Sequence, residues 1–215
     1  MTKQRFLWWS VPVFVLVLAA TLFVYRDLPA TIPTHWNAAG QADGHGPRAM
    51  IFLEPLLMGL TILLWPALPR VSPDKFRVEG FSDTWWFSGL VVVGLFAYIQ
   101  CVQLAVLTQG ALDIGRALLG GIGIAIVLLG NVLGKVKRNF WLGVRTPWTL
   151  ASERVWYATH RLASKSMVVG GLVVLAVALA GLPGYVATAA LLAAALVPVV
   201  FSLVYYKRLK RLGGA

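Results

Sequence analysis

Cysteine and acidic residues are scarce in this chain. Cys101 is its one cysteine, so neither an internal disulfide nor a cysteine-based metal site can form within a single copy. Charged residues make up 13% of the sequence and hydrophobic residues 59%, a balance that excludes an ordinary soluble domain. Walker, Rossmann, HExxH and nucleophile-elbow motifs are all missing. We therefore do not expect an enzyme.

Long uncharged stretches are abundant instead. Six of them approach the length of about 20 residues that a helix needs to cross a bilayer. They predict an all-α, polytopic membrane protein built as a bundle of six transmembrane helices, with a long cytoplasmic loop that carries an interfacial helix. The predicted spans are Phe6–Tyr25, Met50–Leu68, Trp85–Leu107, Ala117–Leu133, Met167–Leu182 and Tyr185–Tyr206.

Lys and Arg are distributed unevenly between the two sides of these spans. Of the 19 such residues, only Arg26, Arg48 and Arg116 lie on the side of the first long loop. The positive-inside rule therefore predicts a multi-pass protein with both termini cytoplasmic and that loop outside. It also accounts for the net charge of +11, so we expect no direct contact with nucleic acid. The predicted regions are 1–69, 70–134, 135–165 (the cytoplasmic loop) and 166–215 (the last spans and a basic tail).

Basic and aromatic residues alternate in the loop between the fourth and fifth spans. Such a pattern is typical of a surface that lies on anionic lipid head groups. Thr146 followed by Pro147 is a helix-start signal. We expect this loop to have a structural packing role and not a catalytic one. Glu153 and His160 formally resemble an acid/base pair, but no nucleophile accompanies them. The helix that starts there would carry Thr149, Glu153, Trp156 and His160 on one face.

The same loop resembles the SdpI family, which is related to the immunity protein against a secreted sporulation-delay peptide toxin. From residue 130 to residue 161 it reads GNVLGKVKRNFWLGVRTPWTLASERVWYATHR, close to the family signature. The resemblance implies a bacterial cell-membrane protein that gives resistance to a peptide toxin and signals by recruiting a cytoplasmic repressor. It assigns the cytoplasmic motif to Asn131, Gly134, Lys135, Asn139, Arg145, Pro147, Trp148, Thr149, Glu153, Trp156, His160 and Arg161.

The loop that follows the first span carries a second resemblance. Residues 28–43 are similar to the LPxxIPxHxNxxGxxD pattern of a small domain of unknown function that accompanies the SdpI region. Prolines and glycines predict a shaped loop here and exclude a helix. By resemblance this segment would face the toxin. The toxin-facing residues would be His35, Trp36, Asn37, Gly40, Asp43, His45 and Glu54.

A metal site is the alternative for this loop. Imidazole and carboxylate ligands suit a divalent ion, and the candidates are His35, Asp43, His45 and Glu54. Local hydrogen bonding is the expected role of the histidine and aspartate side chains of the loop, so we expect no cofactor. For Glu54, at the start of the next span, a functional role and a pairing with Arg48 or Arg116 both stay open.

Two other functions stay open. The first is a small transporter or metal-dependent membrane enzyme that uses the four metal candidates above. It would need a polar path through the bundle, for which the spans offer mainly Gln100, Gln103 and Asn131. For both glutamines, however, hydrogen bonding between helices is the expected role. The second is a structural membrane protein whose loop binds anionic lipid.

Overall fold

The computed structural model describes residues 1–37, 40–110 and 112–213, apart from the side chain of Lys75. Five helices in this part of the chain are long and apolar enough to cross a membrane. The prediction of a mainly helical, multi-pass membrane protein is therefore confirmed. In chain order the elements are α1 Lys3–Tyr25, β1 Thr31–Trp36, β2 Ala42–Pro47, α2 Leu53–Leu64, α3 Ser82–Gln109, α4 Ile114–Leu133, α5 Pro147–Ala151, α6 Glu153–Ala180 and α7 Gly184–Arg211.

The segment predicted as a shaped, non-helical loop is an antiparallel β-hairpin, so the fold is not purely α-helical. β1 pairs with β2 in a register that sets Ile32 opposite Gly46 and His35 opposite Gly44. Ile32 is buried and anchors the hairpin beneath its exposed residues. Gly44 leaves room for its neighbour, because a Cβ atom there would lie 2.9 Å from the Cβ of His35.

The second predicted span, Met50–Leu68, is shorter in the structure. A 3-10 helix over Arg48–Phe52 precedes α2, and α2 itself has only 12 residues. It stops just before Pro66, whose ring excludes a further helical hydrogen bond. Trp65 fixes this end of the helix, because its indole N–H donates to the Trp85 carbonyl at 3.1 Å and the two rings stack.

The interfacial helix predicted in the long loop does not exist as a separate element. The five-residue helix α5 ends at Ala151, and the backbone of the next residue, Ser152, is extended. α6 then starts at Glu153 and runs for 28 residues, so the fifth span extends well before its predicted start at Met167. No glycine or proline interrupts the chain between Glu153 and Ser166, and the helix therefore continues from the loop into the span.

Close backbone contact joins α4, α6 and α7. A Cβ atom at Gly171 of α6 would lie 2.9 Å from both the Gly123 carbonyl oxygen and the Val127 nitrogen of α4. In lipid, such small-residue contacts supply the van der Waals attraction that holds helices together. α1, α2 and α3 form the other half of the bundle, where Gln100 makes the interhelical hydrogen bond predicted for it. Its Nε2 donates to the Thr21 hydroxyl at 2.9 Å.

Successive helices run in opposite directions and so create two ends of the bundle. The hairpin end holds the β-hairpin with the turns between α3 and α4 and between α6 and α7. The loop end holds both chain termini, the segment 65–81 and the loop 134–152. Residues of the two resemblances are therefore separated by the whole length of the bundle.

Candidate functional site

Asn139 organises the turn that follows α4 at the loop end. Its side chain is fully buried, and its Nδ2 donates to the carbonyls of Lys137 at 2.8 Å and Leu142 at 3.0 Å. Its Oδ1 accepts from the N–H groups of Trp141 and Leu142, both at 2.7 Å. The donors and acceptors of the amide are thus all used, and they hold residues 137–142 in one compact turn.

α5 begins at the predicted position. Thr149 Oγ1 accepts from the Thr146 N–H at 2.8 Å, and Thr146 Oγ1 accepts from the Thr149 N–H at 3.3 Å. This is a reciprocal capping box, and Pro147 occupies the first helical position, where an N–H is not needed. The Thr149 hydroxyl also donates to the Val144 carbonyl at 2.8 Å. The start of α5 is therefore tied to the loop before it.

His160 joins the loop to α6. Its Nε2 accepts from the Val144 N–H at 3.0 Å, and its Nδ1 donates to the Trp156 carbonyl at 2.8 Å. The ring is fully buried and stacks on Trp156 with the ring centroids 3.9 Å apart. With one nitrogen donating and the other accepting, the imidazole is neutral. Both nitrogens are occupied by backbone groups, so neither is available as a base.

The tryptophans of the loop pack against protein. Trp156 is fully buried, and Trp141 and Trp148 are half-buried. The prediction that these rings lie among lipid head groups is therefore wrong for the fully buried Trp156, and for Trp141 and Trp148 it stays a prediction. Each of the three indole N–H groups has a protein partner. Phe140 and Tyr157 are exposed. The acceptors for Trp141, Trp148 and Trp156 are Ser72 Oγ, Ser202 Oγ and the Val136 carbonyl, respectively.

The charged side chains of the motif lie outside these buried hydrogen-bonded contacts. Glu153 is exposed and pairs with Arg138, with 3.5 Å between Oε1 and Nη2. The predicted face of Thr149, Glu153, Trp156 and His160 is interrupted at Ser152, which leaves Thr149 on α5 and the other three residues on α6. On α6, Trp156 and His160 are buried whereas Glu153 is exposed. Arg145 donates to the Phe140 carbonyl at 2.6 Å. The other motif residues are Asn131, Lys135 and Arg161, all exposed, and Gly134, which ends α4.

At the hairpin end, two of the predicted residues are in contact. His35 Nδ1 lies 2.5 Å from Asp43 Oδ1 across the hairpin, and both side chains are partly exposed. Asn37 Oδ1 accepts from the Gln41 N–H at 3.1 Å, and Gly40 has a positive φ of +74°. This turn is thus built by local hydrogen bonding and one left-handed glycine.

The hairpin forms one wall of a cleft of about 510 Å³. Trp36 lines this wall, and the opposite walls come from the start of α4 and the turn between α6 and α7. Arg116 of α4 also lines the cleft, and it donates to the carbonyls of Ala178 at 2.8 Å and Leu179 at 2.7 Å. These are the last carbonyls of α6, which lack partners within the helix. Arg116 therefore connects the cleft to α6.

Arg116 is the functional candidate that the motifs did not reveal. One signal was present in the sequence, because it is among the few cations on its side of the predicted spans. Asp113, which also lines the cleft, was missed too; it caps α4 by accepting from the Arg116 N–H at 3.1 Å.

The four metal candidates are only partly assembled. His35 and Asp43 are paired, but no group of three or more His, Cys, Asp or Glu side chains that could hold a metal occurs among the described residues. Glu54 lies apart from the hairpin, and its Oε1 accepts from Gln103 Nε2 at 3.4 Å. The metal site stays a prediction.

Comparison with known proteins agrees with both resemblances. Residues 135–206 match the SdpI/YfhL protein family, and residues 13–59 match a domain of unknown function, DUF1648. The chain is 27% identical to the immunity protein SdpI of Bacillus subtilis (strain 168) over 165 residues, which cover 77% of each protein. No solved structure matches the chain.

Proposed function

We propose that this chain, whose residues 135–206 match the SdpI/YfhL protein family, protects the cell from a membrane-active peptide toxin. The similarity to an immunity protein over most of both chains supports this proposal. We assign toxin binding to the cleft at the hairpin end and signalling to the loop end. No catalytic role is proposed for either end.

One helix connects the two ends, and this observation carries the proposal. α6 is continuous from Glu153 to Ala180, about 42 Å at the usual rise per residue. Its C-terminal end adjoins the cleft at Gly181. Its N-terminal part carries Trp156 and His160, which hold the loop. A displacement of α6 at one end would therefore reach the other through a single rigid element.

Arg116 supplies the step from binding to displacement. It lines the cleft and at the same time binds the last carbonyls of α6. A toxin carboxylate in the cleft would compete for this guanidinium, since charged acceptors bind it more strongly than backbone carbonyls do. The end of α6 would then be released. The toxin would shift the bundle because it prefers the released state over the bound one.

The loop end offers a surface for a cytoplasmic repressor. Lys135, Arg145 and Arg161 are exposed there, and the positive-inside rule directs this end to the cytoplasm of a bacterial cell. A repressor with an acidic surface would complement these cations. Movement of α6 would alter the loop that presents them, so toxin binding outside would change repressor binding inside.

Challenge of toxin-sensitive bacteria tests the protection. Cells that express the chain are exposed to the sporulation-delay peptide toxin and compared with cells that carry an empty vector. We expect survival with the intact chain and loss of protection with Trp36→Ala, which removes a wall of the cleft. Trp8→Ala is the matched control, because Trp8 is exposed on α1 and lies outside the cleft. Equal killing of expressing and vector cells would refute the immunity function.

A further inference from the structure

A second cavity lies at the loop end, on the opposite side of the bundle from the hairpin. It encloses about 500 Å³, a volume within the range of small-molecule sites. α4, α6 and α7 form its walls, and residues 142–146 close one end. The proposed toxin cleft shares none of these residues. Wall residues include Ile126, Leu129, Met167, Leu191, Ala195 and Val199.

Polarity changes along the length of this cavity. Its walls are almost wholly aliphatic, and the hydroxyl of Ser88, one of the polar groups there, already donates to the Thr84 carbonyl at 2.8 Å. Arg145 and Thr146 lie at the loop-facing end of the cavity. The Arg145 side chain is exposed and uses Nη1 on the Phe140 carbonyl. A guanidinium has five N–H donors, so it can still bind an anion.

An extended peptide would not suit these walls. Each peptide unit brings an N–H and a C=O that need partners when buried, and aliphatic side chains provide none. A hydrocarbon chain carries no such groups. The cavity also lies at the boundary between apolar helix and polar loop, because α4 ends at Leu133 and the loop begins directly after it. An occupant there would have an apolar tail and an anionic head.

We propose that this cavity binds one acyl chain of an anionic phospholipid from the adjoining leaflet, with its phosphate on Arg145. The concentration of Lys and Arg at this end supplies charge complementarity for such a lipid. Small side chains at Ala163, Ala194 and Ala195 leave the space that the chain fills. This inference does not depend on toxin protection, since it concerns a different end of the bundle.

Bound lipid can be counted directly. The purified full-length chain is equilibrated with mixed micelles that contain equal amounts of phosphatidylglycerol and phosphatidylcholine, then washed, and the retained lipid is identified by mass spectrometry. We expect about one retained phosphatidylglycerol per chain and a preference over phosphatidylcholine. Arg145→Gln should lower that preference about fivefold, the effect of one cation near charged lipid. Arg161→Gln is the matched control, because Arg161 is an exposed arginine outside the cavity.

Variants that fill the cavity without changing its charge distinguish binding of an acyl chain in the cavity from general attraction between lipid and protein charges. Ala195 is exposed and lines the cavity, so Ala195→Phe should block the space without disturbing the packed core and should abolish retention of the lipid. Val199→Phe is a second variant with the same expectation. Equal retention of both lipids by the unaltered chain would overturn the proposal. So would retention that survives Ala195→Phe and Val199→Phe, or recovery of a peptide in place of lipid.

Discussion

Gly143 lies against the edge of the His160 imidazole, so closely that a Cβ atom at this position would collide with Nε2. Gly143 also has a φ of +112°, a backbone conformation that other residues adopt only with strain. The hydrogen bond from the next residue, Val144, to that same Nε2 needs this approach. Glycine at 143 is therefore a condition for the contact between the loop and α6.

Gly143→Ala should loosen the loop and lower the thermal stability of the purified chain. The added methyl group meets the imidazole, and the strained backbone costs about 1–3 kcal/mol in addition. Gly94→Ala is the control, because a Cβ at Gly94 has nothing within 4 Å and alanine favours a helix. Thermal unfolding in detergent measures both variants. Equal transition temperatures for the two would contradict the close contact.

His160→Ala should destabilise the chain through an unpaired backbone group. The Val144 N–H would lose its acceptor inside the protein, which costs about 1–3 kcal/mol, and Trp156 would lose its stacked neighbour. His160→Gln keeps a side-chain acceptor and should recover part of the loss. Arg161→Ala, one residue along α6 and exposed, should have little effect. Limited proteolysis of the loop provides a second readout, with faster cleavage expected for His160→Ala alone.

The sequence predicts the apolar part of this fold much better than its polar part. Uncharged runs are visible residue by residue, and the predicted third span, Trp85–Leu107, lies within α3. The extent of α6 was missed because its first turns are polar, although no residue there stops a helix. Amphipathic residues were the harder case. Trp156 beside arginines indicated a lipid surface, whereas its ring is buried and its indole N–H donates to the Val136 carbonyl at the start of the loop.

The cleft at the hairpin end was also only partly predictable from the sequence. His35 and Asn37 were recognisable from local turn chemistry, because glycines and prolines surround them. Arg116 was not, since its role depends on α4 and α6 lying side by side. The two helices are adjacent because glycines such as Gly123 and Gly171 contact each other. The sequence shows that both helices contain glycines, but not which glycine contacts which.

Gly171→Ala should weaken the packing of α4 on α6. A Cβ atom there would lie 2.9 Å from backbone atoms of α4, which cannot rotate away as a side chain can. The two helices must therefore separate, at a cost of about 1–3 kcal/mol. Gly120→Ala is the matched control on α4, where the nearest atom, Tyr98 Oη, is 3.9 Å from the added carbon. The transition temperatures of the two variants in detergent check this prediction, and a larger fall for Gly120→Ala would contradict it.

Arg116→Gln should uncouple the cleft from α6. The last carbonyls of α6 would lose a charged donor, so hydrogen exchange at the end of this helix should rise. Arg26→Gln is the control, because Arg26 lies at the same end of the bundle, directly after α1, and does not line the cleft. If toxin protection passes through α6, Arg116→Gln should also reduce survival while Arg26→Gln does not. Unchanged exchange at residues 177–180 would contradict the capping role.

The proposed binding end must face outward and the proposed signalling end must face the cytoplasm. Labelling of intact cells with a membrane-impermeant thiol reagent tests this orientation. Replacement of Cys101 by alanine removes the native thiol, and a single cysteine is then introduced at Ala42 or at Tyr157, both exposed. The excess of Lys and Arg at the loop end predicts that Ala42→Cys reacts from outside and that Tyr157→Cys reacts only after the cells are opened. The opposite result would direct the cationic end outward. A cytoplasmic repressor could not then reach it, although the cleft, Arg116 and α6 would remain as they are.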